Sequence, residues 1–298
     1  MREIQRRRFL QISGASLVSA AATAGKTILI VAADAGWLEC AGGAVAKRTG
    51  DGADAILIRI GNDEKESWGL TPEETALRNR NESETAAKIL GIQEVVSLGY
   101  RSSELRDVPH TTLRDRLIFL IRHHRPAVLM FPNPHAEHDR NLDRYYAGAA
   151  AEDAWHCARF QNFLPAASHG GLAPHIVPEV FYYAPPVDPR RREPESTAAF
   201  VPQPIRVDIG DVFARKLRAA QALRTVNRNR AMRLKQSLEA SGRRLPLLDP
   251  VDDGAVDKLT EENLRGLAAI CAQGSSYKLA EEFRYAGIEY GIPSQYLR

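Results

Sequence analysis

The 298-residue chain carries 40 Lys and Arg against 37 Asp and Glu, a formal charge of +3, with 44% apolar and 26% charged residues. This composition excludes long disordered stretches, collagen-type repeats and a disulfide-built scaffold, and the length suffices for one large α/β domain or two smaller ones. The excess charge is concentrated: residues 1–24 hold Arg2, Arg6, Arg7 and Arg8 against Glu3, so the rest of the chain is neutral.

In chain order, the first segment reads as an address. Arg6-Arg7-Arg8-Phe9-Leu10-Gln11 precedes a weakly apolar run over 12–24 that ends on the small residues Ala22-Thr23-Ala24. A charged start, a short apolar middle and a small-residue end mark a cleaved secretory signal, and the run is too short to span a bilayer as a stable helix. The Arg-Arg-x-Phe-Leu order resembles a twin-arginine leader, which exports folded proteins. The expectation is a signal over 1–24, a periplasmic or extracellular protein beginning near Gly25, no transmembrane span in the mature chain, and a single domain over 25–298. The cysteines Cys40, Cys157 and Cys271 are widely spaced and form no metal-type pair.

Residues 27–32 form a continuous apolar run, the pattern of a strand buried on both faces. A helix is expected through Gly42-Gly43-Ala44-Val45-Ala46-Lys47, and a second strand over 55–60. Thr71-Pro72-Glu73-Glu74 starts the next helix, with Thr as N-cap, Pro in first position and acids in the first turn; Gly91 ends it. A strand over 94–98, a helix over 113–123 and a strand over 127–131 follow, then a helix over 144–160. Beyond that the pattern loosens. Strands are expected over 179–184 and 205–209, one long helix over 211–240, and helical signals near 256–272 and 277–286, the latter two in a helical C-terminal extension from about residue 240 to 298.

The alternation argues for an α/β fold: a Rossmann-like, open, mostly parallel sheet with helices on both faces. Ligands of such sheets lie beyond the carboxyl ends of the strands, which directs attention to the loops over 33–41, 61–70 and 132–143. The long helix carries Arg215, Lys216, Arg218, Arg224, Arg228, Arg230, Arg233 and Lys235. A polyanion-binding module is one alternative. Without interleaved aromatics, and in a neutral mature chain, these residues read as a solvated face, and no nucleic acid is expected.

Several segments together resemble the PIG-L/LmbE family of zinc-dependent N-deacetylases. They are 28–32 with Cys40-Ala41-Gly42-Gly43-Ala44-Val45-Ala46; Asn62-Asp63-Glu64-Lys65; Arg80-Asn81-Glu82-Ser83-Glu84-Thr85-Ala86-Ala87 through Leu90-Gly91, with Leu98-Gly99-Tyr100 and Glu104-Leu105 beyond; 132–143 with Glu152-Asp153-Ala154; and Pro174-His175, Tyr182-Tyr183-Ala184 and Val207-Asp208-Ile209. The resemblance covers most of 26–235 and implies an LmbE-like fold and removal of acetyl groups from N-acetyl sugars or related conjugates. The family chemistry uses His-Pro-Asp-Asp after the first strand. Its His and second Asp bind zinc, and its first Asp is the base. A motif after the fourth strand ends in a third His ligand. Zinc with three protein ligands and an open position lowers the pKa of bound water, and the base must reach that water.

This chain departs from that pattern. The four positions are Ala33, Asp34, Ala35 and Gly36, so the metal positions carry Ala33, Gly36 and, after the fourth strand, Arg144; the base position carries Ala35. A cation in place of a ligand repels a metal. The reading is therefore a degenerate, metal-less relative that binds a sugar-like or anionic ligand. No cofactor is expected; zinc or another divalent ion enters only if the site is rebuilt, for which His135, His138 and Asp139 are the candidate set, with Asp34 and Glu39 in the facing loop. Arg144 has two further readings: holding an anionic group with Asp143 orienting it, or a structural salt bridge to Asp34 or Asp143 that fills the vacated metal space. The pocket candidates are Asp34, Trp37, Asn62, His135, His138, Asp143 and Arg144. Trp37 and Trp68 could stack on a sugar ring or pack on neighbours. His175 matches a family position on the pocket side, and His123-His124 closes a helix, where a cation suits the dipole. An active hydrolase with a rearranged metal site is the alternative.

Overall fold

The computed structural model describes residues 27–136, 139, 141–166, 170–186 and 204–287. The expected leader over 1–24, His138 and the end of the C-terminal extension lie outside these residues. Four β-strands and their helices follow one another: β1 (Ile28–Ala32), α1 (Trp37–Gly50), β2 (Ala55–Gly61), α2 (Pro72–Leu90), β3 (Glu94–Tyr100), α3 (His110–His124), β4 (Val128–Pro132) and α4 (Leu142–Ala158). They lead into β5 (Glu179–Tyr183), β6 (Ile205–Asp208), α5 (Phe213–Gln221), α6 (Arg224–Ala240), α7 (Asp253–Ala272) and β7 (Ala280–Gly287). The strands form one sheet in the order β3-β2-β1-β4-β5-β7-β6. β1 to β5 pair in parallel, while β7 runs antiparallel to both β5 and β6.

The apolar runs explain the layering. Alternate residues of β1 face opposite cores: Ile28, Ile30 and Ala32 join Leu38, Val45, Leu90, Leu223 and Leu264 on one side. Leu29 and Val31 join Leu117, Ile121, Phe131 and Ala151 on the other. A strand covered by helices on both faces needs apolar residues at every position, which is why its alternation is hidden. Helix α2 begins and ends as its sequence dictates. Thr71 Oγ1 accepts from the Glu74 amide at 3.3 Å, the Glu74 carboxylate accepts from the Thr71 amide at 3.1 Å, and Gly91 closes the helix at φ 74°.

Two expectations fail. The long helix over 211–240 is two helices, α5 and α6, separated at Ala222 and Leu223. The helical reading of 277–286 is replaced by strand β7, which slots between β5 and β6. Its Glu281 is 1% exposed and accepts the Gly43 and Ala44 amides of α1, both at 2.7 Å. Lys216 of α5 ion-pairs with Glu281 at 2.8 Å and donates to the Glu39 carbonyl at 2.7 Å. The carbonyl and amide that a regular helix would join, Glu39 and Gly43, thus each take a side-chain partner from elsewhere in the fold. Gly43 is required there, since a Cβ would meet Ile209 Cγ2 at 2.7 Å. This buried clamp fixes the start of α1 and with it the loop after β1.

Candidate functional site

β1 is flanked by β2 and β4, so the chain order switches at β1 and the loops that follow β1 and β4 diverge. The crevice between them is where an α/β sheet of this kind holds ligands. The loop after β1 supplies Ala33, Asp34, Ala35 and Gly36; the loop after β4 runs into α4 and supplies Asp139, Asn141, Asp143 and Arg144.

Arg144 meets Asp34 through two parallel contacts, Nε to Oδ2 at 2.8 Å and Nη2 to Oδ1 at 3.0 Å. Asp34 also accepts from Asn141 Nδ2 and from the Gly36 amide, each at 2.6 Å. Arg144 Nη1 reaches Asp139 Oδ2 at 3.3 Å, and Asp139 accepts from the Asn141 amide at 3.1 Å. Planar guanidinium and carboxylate groups suit this two-point geometry. Burial pushes the Asp34 carboxyl up, but the Arg144 guanidinium and its hydrogen bonds pull it further down, so it stays below the ordinary carboxylate range. Burial likewise works against the Arg144 cation, and Asp34 outweighs it.

The guanidinium occupies the space that a side chain at position 36 would need. A Cβ built on Gly36 collides with Arg144 Nη2 and comes within 2.7 Å of Asp34 Oδ1. The residues expected at the family's metal positions, Ala33, Gly36 and Arg144, offer no side-chain metal-donor atom, and the one charged group among them is a cation. They do not fit zinc.

Of the rebuilt set, the two described members are engaged with other partners. His135 Nε2 lies 3.2 Å from Glu152 Oε2, and Tyr182 donates to Glu152 Oε1 at 2.8 Å, so His135 is engaged with α4 and β5. Asp139 is committed to Arg144, and His138 lies outside the described residues. Among the described residues no three His, Cys, Asp or Glu side chains gather as a metal-holding group.

Other expectations are corrected by position. Asp143 does not orient Arg144. It is 5% exposed and accepts the Ser103 amide at 2.5 Å and the Leu105 amide at 3.2 Å, tying α4 to the segment after β3. Burial raises its carboxyl in spite of those bonds. Trp37 is only 6% exposed and packs in the core as the first residue of α1, so it cannot stack on a sugar; Trp68, 44% exposed, keeps that option. Asn62 shapes its own loop by accepting the Glu64 amide at 3.2 Å. His175 Nε2 meets the carbonyl of Pro126, just before β4, at 2.7 Å, which puts it at the opposite end of the strands from the crevice.

Two features escaped sequence reasoning. Asp63, between β2 and α2, has φ 55° and is buried against Arg59 Nη2 at 2.8 Å. Burial pushes its carboxyl up to about 7, with Arg59 opposing. Arg230 of α6 pairs with Glu39 of α1, and the Glu39 charge raises its pKa. Nothing local marked either residue, because each partner comes from another element or from a turn that is not signalled by glycine.

The open, switch-pointed sheet with divergent ligand loops defines the class as an α/β ligand- or substrate-binding fold. Residues 38–151 match the family model PIG-L, GlcNAc-PI de-N-acetylase. The PIG-L, LmbE-like resemblance read from the motifs is thus supported over residues 38–151. A diacetylchitobiose deacetylase of Thermococcus kodakarensis is 30% identical over 184 residues, 60% of this chain and 62% of that protein, so the match spans less than two thirds of the relative. Among solved structures, the N,N'-diacetylchitobiose deacetylase of Pyrococcus horikoshii, complexed with its inhibitor MPG, superposes with a TM-score of 0.70 at 20% identity, covering 98% of this chain and 96% of that one. GalB, a 4-carboxy-2-hydroxymuconate hydratase of Pseudomonas putida, superposes with a TM-score of 0.59 at 16% identity, covering 88% and 96%. The two solved proteins share this chain's fold and carry different named activities.

Proposed function

We propose that this chain is a metal-independent relative of the PIG-L deacetylases that binds a sugar-like ligand in the β1–β4 crevice without hydrolysing it. The carrying observation is the Asp34–Arg144 pair, whose guanidinium fills the space beside Gly36 where a metal ligand would project. The ligand class is suggested by relatives that act on diacetylchitobiose. An anionic ligand is the weaker half of the expectation, since both faces of Arg144 are already taken by Asp34 and Asp139. The polyanion reading is weakened as well, since Arg224, Arg228, Arg233 and Lys235 pair with Asp257, Asp253, Glu66 and Asp249. Export through residues 1–24 belongs to the same proposal. No helix among the described residues is long and apolar enough to cross a membrane. Hydrolysis through a rearranged metal set would need His135 and Asp139 to leave Glu152 and Arg144.

Isothermal titration with N-acetylglucosamine and N,N'-diacetylchitobiose, with and without EDTA, tests the proposal. Binding that is indifferent to the chelator, with no acetate released, is expected. Acetate release that EDTA abolishes would overturn it.

A further inference from the structure

A cavity of about 360 Å³ opens between α1, α5, α6 and α7, outside the ion-paired loops. Its inner wall is largely apolar, with Ala35, Leu38, Leu223 and Leu264 all under 10% exposed, and the polar Asn227 and Thr260 in the lining donate to the Ala220 and Val256 carbonyls. Its mouth is marked by Leu234, 37% exposed, and by the exposed Asn263. Ala35 lies in the loop after β1, next to Asp34, so the cavity reaches the edge of the crevice. Arg230 lines it, and its charge is felt by Asp34 and Arg144. The charged groups in the lining, Glu39 and Arg230, neutralise each other. A cavity with leucine walls and no unpaired charge favours an uncharged apolar occupant over an ion. Helices α6 and α7, which build its outer walls, lie beyond the segment that matches the family model.

We infer that this cavity binds an uncharged aliphatic chain attached to the ligand, so that the ligand is an N-acyl or alkyl conjugate with a chain longer than acetyl. The inference rests on the reading of the crevice as a sugar-like ligand site and adds the class of substituent. At about 30 Å³ for each water-sized group, the cavity holds roughly twelve non-hydrogen atoms. Each buried methylene tightens binding about fourfold, until the cavity is full.

The test is calorimetric titration of the full chain with N-acetylglucosamine, N-butanoyl-, N-hexanoyl- and N-octanoylglucosamine, together with octanamide and octanoate. Affinity is expected to rise along the acyl series, with the octanoyl compound at least a hundredfold tighter than the acetyl one. Leu234→Trp at the mouth and Leu259→Trp on the half-buried wall should flatten that rise at an unchanged melting temperature. Equal affinities along the series would overturn the inference while leaving the sugar reading intact. Binding of octanamide without any sugar conjugate would keep the cavity and remove the sugar reading; binding of neither would remove both. A rise that survives both tryptophan variants, or octanoate binding more tightly than octanamide, would also overturn the inference.

Discussion

Asp34 and Arg144 share two hydrogen bonds in a partly buried loop pair, and the energetics of that contact follow from what each would lose alone. Breaking a fully buried ion pair by removing one partner costs roughly 3–5 kcal/mol, because the other charge stays behind unpaired. With each side chain 19% exposed, Asp34→Asn is expected to cost about 2 kcal/mol at pH 7, read from urea unfolding. The folded Asp34 holds its pKa below the unfolded value, so the unfolded chain takes up the proton first as pH falls. Its contribution is therefore complete above the ordinary carboxylate range and fades as pH drops through the lowered value. The stability gap between wild type and Asp34→Asn should be level near neutrality and close in acid. A gap that widens in acid would contradict this. Gly36→Ala places its Cβ on Arg144 Nη2 and must displace the same pair, so part of its cost should be relieved in an Arg144→Ala background. A double-mutant cycle showing simple additivity would mean the two residues do not share space. At this scale the sequence was readable where a position had a family role. Asp34 was among the partners considered for Arg144, and the structure pairs the two. The commitment of Asp139 to the same cation, and of His135 to Glu152, was not readable, because hydrogen-bond choice within a loop depends on which side chain the neighbouring helix presents.

At the scale of elements, α1 is held by residues far from it in sequence. Glu281 and Lys216 are each about 1% exposed and bond the amides and a carbonyl of its first two turns. Glu281→Gln leaves Lys216 without its counter-charge and should cost about 3 kcal/mol or more, measured by urea unfolding. A loss below about 1 kcal/mol would show that α1 does not depend on this clamp. The same residues explain why β7 read as a helix. Ala280-Glu281-Glu282-Phe283 has adjacent glutamates and an alanine, a poor strand signal. The segment becomes a strand because β5 and β6 leave a gap for it, and Glu281 is buried because α1 offers it two amides. The break between α5 and α6 carries no proline or glycine and is likewise set by packing. By contrast β1, β2, β4 and α2 were legible because continuous apolar runs and a capping box act locally.

For the molecule as a whole, the +3 charge lies in residues 1–24, and the basic residues of α6 are largely answered by acids of α1, α7 and neighbouring loops. The fold is the LmbE-like one, and in the proposed reading the Asp34–Arg144 pair stands where the family's metal would be held. Metal content tests whether the ion pair has replaced the metal. The purified full chain is incubated with excess zinc, desalted and analysed by inductively coupled plasma mass spectrometry, alongside its melting temperature with and without the ion. Zinc far below one ion per chain and an unchanged melting temperature are expected. One zinc ion retained per chain, with a raised melting temperature, would contradict the replacement.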